Sequence, residues 1–573
     1  MRILDLPGAP DFSRPMSQGV LVPLGVLAGL VSWVLLAFDG RHHPDEGLYL
    51  YMAAYSTVGE ILDPQWAPAY PFYVSRILHL LTARAIFVLL GPGEAALQVI
   101  AAIYALFVLA AILLGSATIR RLVPWQPRSV ALAGLLFAVS PMPLWLVGKT
   151  LPESPALLAT SVALYAFVRA LACPDPRRAA PWLALTSLAL VAIALTRNVF
   201  LLAPLTLGAS LLLFGGWRFP PGRVLAYGVT VGAVSGALLI GTLALLGIDL
   251  TSYFWVVGFA RQEHAPLAVR LYAVFMEGGP LLLALPIVLV HLQRADVGFL
   301  LVWFALATGT MFVLLHDLEA RYFLANMVPL LGLGGFALET LAKWWRARAN
   351  HLLHLGAGLL VVTFASVGRL AQPFMEHDFD STELQMVVRT LDRLYGGPQA
   401  YTLLAAWHHS DYHYVRVAHP DRRIYSVERT RDKRSVTEID TKDRAFYGEA
   451  LVLDSDMLTR IPRPWLYFGV GANPPITNLR WLADRLPIEE LRRTVHGIID
   501  RVAKRRHFFD TWVWRDPRIR VVPVLELGHY RVAELIPAEP TATAERPSDD
   551  RVGEKATVEF RAADEASSGT MLP

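Results

Sequence analysis

Runs of roughly 20 apolar residues recur through the first 370 positions of this chain, and they leave it few folds to choose from. A bilayer core about 30 Å thick is crossed by about 20 helical residues. A backbone inside it must satisfy its own hydrogen bonds, so a helical bundle is the answer for segments of this length. Spans are expected near 18–38, 95–118, 129–147, 154–172, 181–196, 199–215, 224–246, 278–292, 297–315, 322–341 and 352–371, about eleven transmembrane helices in a polytopic α-helical membrane protein. The composition agrees, with 54% hydrophobic and only 17% charged residues, outside the range of most soluble domains. The first fifteen residues hold Asp5, Pro7, Pro10 and Asp11 and do not resemble a cleavable signal, so the first apolar run is expected to stay as an anchor. Residues 76–90 contain Arg76, His79 and Arg84 and read as an amphipathic helix lying at the membrane surface.

Three parts follow from the change in composition. Residues 1–372 carry the apolar segments. Residues 373–537 are polar and read as a soluble α/β domain, with a helix over 381–394, strands at 400–406, 423–427, 449–454, 465–470 and 521–535, and a further helix within 487–504. Residues 538–573 are rich in Pro, Ala, Thr, Glu and Ser without a hydrophobic period, and read as a disordered tail.

Orientation follows from basic residues in short loops. With the N-terminus in the cytoplasm, the inner loops hold Arg120, Arg121 and Arg128; Arg169, Arg177 and Arg178; Arg218 and Arg223; Arg294; and Lys343, Arg346 and Arg348. An odd number of spans then puts the C-terminal domain outside. The same threading collects the mixed-sign polar groups on the outer face: Asp45 and Glu46, Lys149 and Glu153, Arg197 and Asn198, Glu263 and His264, and His316, Glu319, Arg321 and Tyr322. Carboxylates suited to base work and cations suited to phosphate thus share one side, as an anionic lipid-linked substrate would require.

These residues carry a resemblance. His43-Pro44-Asp45-Glu46 resembles the acidic first outer loop of the GT-C glycosyltransferases, among them protein mannosyltransferases, aminoarabinose transferases and mannosyltransferases of lipid-linked oligosaccharide assembly. Pro152-Glu153-Ser154-Pro155-Ala156, opening a span, resembles a second feature, although Asp often stands where this chain has Glu153. His316-Asp317-Leu318-Glu319-Ala320-Arg321-Tyr322-Phe323, followed by Pro329, is similar to the late outer-loop motif. The resemblance implies transfer of a sugar from a polyprenyl-phosphate donor to a lipid, glycan or protein acceptor, with inversion, in a bacterial plasma membrane and on its extracytoplasmic face. Asp45 would be the general base with Glu46 in support, and Arg321, Lys149 and Arg197 would bind the donor phosphate. Glu153, Glu263, His264, His316, Glu319 and Tyr322 are further substrate-binding candidates. No cofactor is required, and a divalent metal is compatible with an acidic loop beside a phosphodiester.

Each residue also has an ordinary explanation. Pro44-Asp45-Glu46 suits a first helical turn, where carboxylates complement the helix dipole. Arg321 suits an interfacial arginine that snorkels. Glu153 suits a helix start better than catalysis, and His316 a hydrogen-bonding loop position. His408-His409-Ser410-Asp411-Tyr412-His413 fits no strong zinc spacing, and one cysteine, Cys173, excludes a Cys-based metal cluster within the chain. No glycine-rich phosphate loop, nucleophile elbow or basic–aromatic run points to a nucleotide donor, a hydrolase or nucleic acid. A transporter or flippase of a lipid-linked or anionic substrate is the alternative, but such sites tend to sit at the midplane of repeated halves. Here the charges gather at one edge and no repeat is visible.

Overall fold

The computed structural model describes residues 41–62, 75–250, 285–314, 320–344, 379–406, 410–428, 450–452, 462–470, 519–527 and 530–537, less positions 43, 124, 126, 139 and 215–217, together with positions 253, 489, 492, 493 and 496. The expected spans 18–38 and 352–371, residues 278–284 of the expected span 278–292, most of the helix at 487–504 and the tail 538–573 lie outside these residues.

Six described helices are long and apolar enough to cross a membrane. They are α3 (Glu94–Leu122), α6 (Glu153–Ala172), α7 (Pro176–Ala194), α9 (Pro221–Leu245), α10 (Ala295–Leu314) and α11 (Met327–Trp344), the last entered through a 3₁₀ turn at Ala320–Asn326. Shorter helices complete the bundle: α1 (Pro44–Tyr55), α2 (Ile77–Leu90), α4 (Pro127–Ala138), α5 (Pro141–Leu146) and α8 (Leu202–Phe214). The expected span 129–147 is thus two helices. Pro141 and Pro143 cannot donate to a continuing ladder, so the chain restarts at Pro141 in the first turn of α5.

The helices pack through small residues and large interior rings. Trp303, Phe137, Phe200, Phe299 and Phe323 are fully buried together in the main core. A Cβ at Gly332 of α11 would stand 2.8 Å from Leu300 Cδ1 and 3.1 Å from Ile119 Cδ1, so glycine lets α11 approach both α10 and α3. At one end of the bundle Arg218 donates to the Arg121 carbonyl at 2.9 Å and Arg223 to that of Leu171 at 3.0 Å. Arg169 lies over Trp182 there, 4.8 Å from its ring. Arg218 and Arg223 thus cap the open C-termini of α3 and α6. The other end holds the mixed-sign residues.

Beyond the bundle the chain forms a six-stranded mixed sheet in the order β5-β4-β3-β6-β8-β7. The strands are β3 (Thr402–Ala406), β4 (Ile424–Glu428), β5 (Ala450–Val452), β6 (Trp465–Val470), β7 (Ile519–Leu527) and β8 (Tyr530–Pro537). β5, β4, β3 and β6 are parallel, whereas β8 pairs antiparallel with β6 and β7. The single expected strand 521–535 is therefore a β7–β8 pair. Pro523 is accommodated because β7 is an edge strand with a register shift between Pro523 and Leu525. Helix α12 (Ser381–Tyr395) buries Leu384, Val387, Val388 and Leu391, a stripe at helical spacing. Helix α13 (Ser410–Ala418) follows β3. A two-stranded pairing joins β1 (Arg41–His42) to β2 (Phe379–Asp380), with Arg41 opposite Asp380 and His42 opposite Phe379.

The structure differs from the sequence reading at α2. Arg76 and His79 point inward, buried to 8% and 1% exposure. Arg84 donates to the Ser56 carbonyl just beyond the C-terminus of α1 and, at 3.4 Å, to that of Ala53. The helix is apolar on its exposed side too, where Val88, Leu89 and Leu90 lie, and its few polar residues turn toward partners in the bundle.

Candidate active site

Local sequence explains how each charged group reaches the same end of the bundle. Pro44 suits the first turn of α1, and Asp45 and Glu46 follow at the positive end of the helix dipole. Glu46 is fully buried and accepts from the Thr150 amide at 2.8 Å and the Thr150 hydroxyl at 2.9 Å. Thr150 reaches it because α5 ends in a turn at Gly148, whose φ of +80° favours glycine. The adjoining Lys149 is 3% exposed. Only the backbone of Asp45 is among the described parts, one residue before Glu46 on α1.

Glu153 opens α6 in its first turn, and its carboxylate serves as a counter-ion. It lies 3.1 Å from Arg197 Nε and 3.5 Å from Arg321 Nε, with no exposure of its own side chain. Arg197 follows the end of α7, and Arg321 sits in the 3₁₀ turn before α11. Tyr322 binds the two arginines into one unit, its ring 4.6 Å from the Arg197 guanidinium and 5.8 Å from that of Arg321.

Arg76 completes the cluster. It donates to the Tyr49 hydroxyl and lies 5.3 Å over the Tyr49 ring. His79 meets the same ring edge-on at 5.2 Å and shares a 2.7 Å hydrogen bond with the Tyr104 hydroxyl through Nδ1. The charges of Glu46, Glu153, Arg76 and Arg197 all act on His79, which places the whole group in one electrostatic neighbourhood. The described buried ions here are four cations, Arg76, Lys149, Arg197 and Arg321, and two carboxylates, Glu46 and Glu153. Guanidinium and ammonium groups gathered in this way are of the kind that bind an oxyanion.

Six expected residues are therefore gathered: Glu46, Lys149, Glu153, Arg197, Arg321 and Tyr322. Glu263, His264, His316 and Glu319 lie outside the described residues. Arg76 and His79 were missed because a charged residue beside an apolar stretch was read as a mark of the surface. The absence of a polar face on α2 is the signal that could have found them. His413 packs its ring 5.1 Å from that of Tyr51. Among the described residues no three His, Cys, Asp or Glu side chains are grouped to hold a metal.

No protein-family model matches the sequence, and no curated protein is significantly similar to it. Solved structures do match. The chain is similar to ArnT from Cupriavidus metallidurans, solved bound to undecaprenyl phosphate, with a TM-score of 0.55 and 15% identity over 91% of this chain and 99% of that one. The apo state of the same protein matches with a TM-score of 0.55 and 16% identity over 90% and 98%. The oligosaccharyltransferase of Archaeoglobus fulgidus matches with a TM-score of 0.42 and 14% identity over 71% and 64%. The resemblance is thus borne out at the level of fold: this chain shares the fold of ArnT over nearly its whole length, and six of its described helices are long and apolar enough to cross a membrane.

Proposed function

We propose that this protein is an inverting glycosyltransferase that moves a sugar from a polyprenyl-phosphate donor to an acceptor at the extracytoplasmic membrane face. The observation that carries the reading is the gathering of buried Arg76, Lys149, Arg197 and Arg321 around Glu46 and Glu153, next to the helix that bears Asp45. A phosphodiester headgroup is an anion that such a cluster suits, and arginine offers planar forks for its oxygens. The GT-C architecture supports the assignment by analogy of fold. We assign residues 1–372 to the transferase domain, 373–537 to an extracytoplasmic α/β domain and 538–573 to a tail.

The chemistry follows from those groups. Asp45 accepts the proton of the acceptor hydroxyl. The freed oxygen attacks the anomeric carbon opposite the phosphate, and the bond from that carbon to the phosphate oxygen breaks. The departing phosphate gains a charge, and preorganised cations stabilise it as it develops. Glu46, held by Thr150, steadies the first turn of α1 without touching the acceptor. No redox cofactor takes part, and a divalent metal beside the acidic loop is an optional addition rather than a required one. A transporter would use a midplane site, whereas these ions cluster at helix ends.

The test is transfer of radiolabelled sugar from polyprenyl-phosphate donors to membrane extracts, with and without a chelator. Transfer that depends on Asp45 supports the reading. Movement of intact donor across vesicles without glycosidic transfer refutes it in favour of the transporter.

A further inference from the structure

The first-loop helix α1 is held from two sides. Toward the bundle it turns Glu46, Tyr49 and Ala53, all buried. The opposite face presents Tyr51 and Tyr55, one helical turn apart with rings 5.2 Å from each other. That face meets α13: the Tyr51 ring stands 5.1 Å from His413, the Tyr55 hydroxyl donates to the Arg416 carbonyl at 2.9 Å, and the Arg416 guanidinium lies 5.9 Å over the Tyr55 ring. Leu50 and Tyr51 share one core with Leu384, Val387 and Leu391 of α12 and with Leu466 and Phe468 of β6. A second tie sits at the start of the helix. Strand β1 ends two residues before Pro44, and it pairs with β2, which runs directly into α12. The sheet region therefore grips both the entry and the outer face of the helix that carries the acidic pair.

We propose that the C-terminal region is a working part of the transferase, acting through α13 and β2 to hold α1 in register with the buried cations, with Tyr51 and Tyr55 as positioning residues. The inference rests on the reading of the site given above. Reacting groups misplaced by about 1 Å lose on the order of 10²-fold in rate, and α1 has no other described contact on its outer face as extensive as α13. Tyr55 is 38% exposed, so its truncation leaves the main core intact.

Two measurements on the full-length protein in detergent decide the matter: amide hydrogen exchange across residues 44–55, and turnover together with affinity for undecaprenyl phosphate. In the Tyr51→Ala/Tyr55→Ala variant, exchange over α1 should quicken about tenfold or more. Its kcat should fall on the order of 10²-fold, while undecaprenyl phosphate affinity stays within about twofold. Tyr51→Phe, which keeps the ring against His413, should restore most of the rate in the Tyr55→Phe background. Unchanged exchange over α1 overturns the clamp whatever the reaction is. Faster exchange with an unchanged rate overturns the positioning role. If the unaltered protein transfers no sugar, the proposed function and the catalytic half of this inference fail together, and the exchange result still decides the clamp.

Discussion

Glu153→Gln is the most incisive single change in the site. The substitution keeps the shape of the side chain and removes its charge, leaving Arg197 and Arg321 buried without their shared carboxylate. At the 3.1 and 3.5 Å separations seen here, each attraction is worth about 5 kcal/mol at an effective dielectric of about 20. Much of that offsets the cost of taking three ions out of water, and removing one partner of a buried ion pair costs about 3–5 kcal/mol net. The variant should therefore be less stable than the unaltered protein by about 3–5 kcal/mol in the absence of ligand. A bound phosphate would replace the lost negative charge, so the ligand should recover more stability in Glu153→Gln than in the unaltered protein. Thermal unfolding in detergent, with and without undecaprenyl phosphate, reads both effects. A stability loss below about 1 kcal/mol, the range of an exposed pair, would show that Glu153 is not the ion holding the arginines. An equal ligand-induced shift in both proteins would show that the arginines are not the anion site.

The remaining expectations address chemistry, donor binding, topology and pH. Asp45→Asn should lower transfer about 10²- to 10⁴-fold with donor binding kept. Glu46→Gln should be mild, since an amide oxygen can still accept from Thr150; transfer by Asp45→Asn at the full rate would name the wrong carboxylate. Arg321→Lys should weaken donor binding by about 1–3 kcal/mol through loss of the planar fork, and titration with polyprenyl phosphate would expose an unchanged affinity. In a Cys173→Ser background, thiols introduced at positions 43 and 410 should react with an impermeant reagent from the same side of the membrane, and labelling from opposite sides would break the site assignment. Finally, burial pushes His419 down to about 4, with Arg422 and Arg389 adding to the effect and Asp392 opposing it. Glu94, whose carboxylate is 3.7 Å from the ring, is itself a third exposed and does not reverse this. The unfolded chain then takes up a proton near pH 6.5 that the folded one refuses until about 4, so stability should fall as pH drops through that window. Asp392, held low chiefly by its hydrogen bonds to Arg422, adds a loss in the same direction at still lower pH. A flat unfolding midpoint between pH 7 and 4 would contradict the His419 expectation.

Periodicity and length made much of the architecture legible. Apolar runs announced α3, α6, α7, α9, α10 and α11. In the C-terminal region the helix at 381–395 and β6 at 465–470 fall where alternation and caps put them, since those signals are local. Motif chemistry singled out Glu46, Lys149, Glu153, Arg197, Arg321 and Tyr322 before any coordinates, because a charged residue at a membrane edge is rare enough to notice. Partners were not legible. That Glu46 accepts from Thr150, that Glu153 serves two arginines as well as its own helix start, and that Arg76 faces inward depend on contacts between residues far apart in the chain. One-dimensional pattern holds the period of an element but not the neighbour on each of its faces. The grip of α13 and β2 on α1 joins positions more than 300 apart, and only folding brings them together. Sequence alone determined the kind of residues this chain would gather at one end of a membrane bundle; tertiary structure decided which of them meet, because ion pairs and packing are set by distances that no linear pattern encodes.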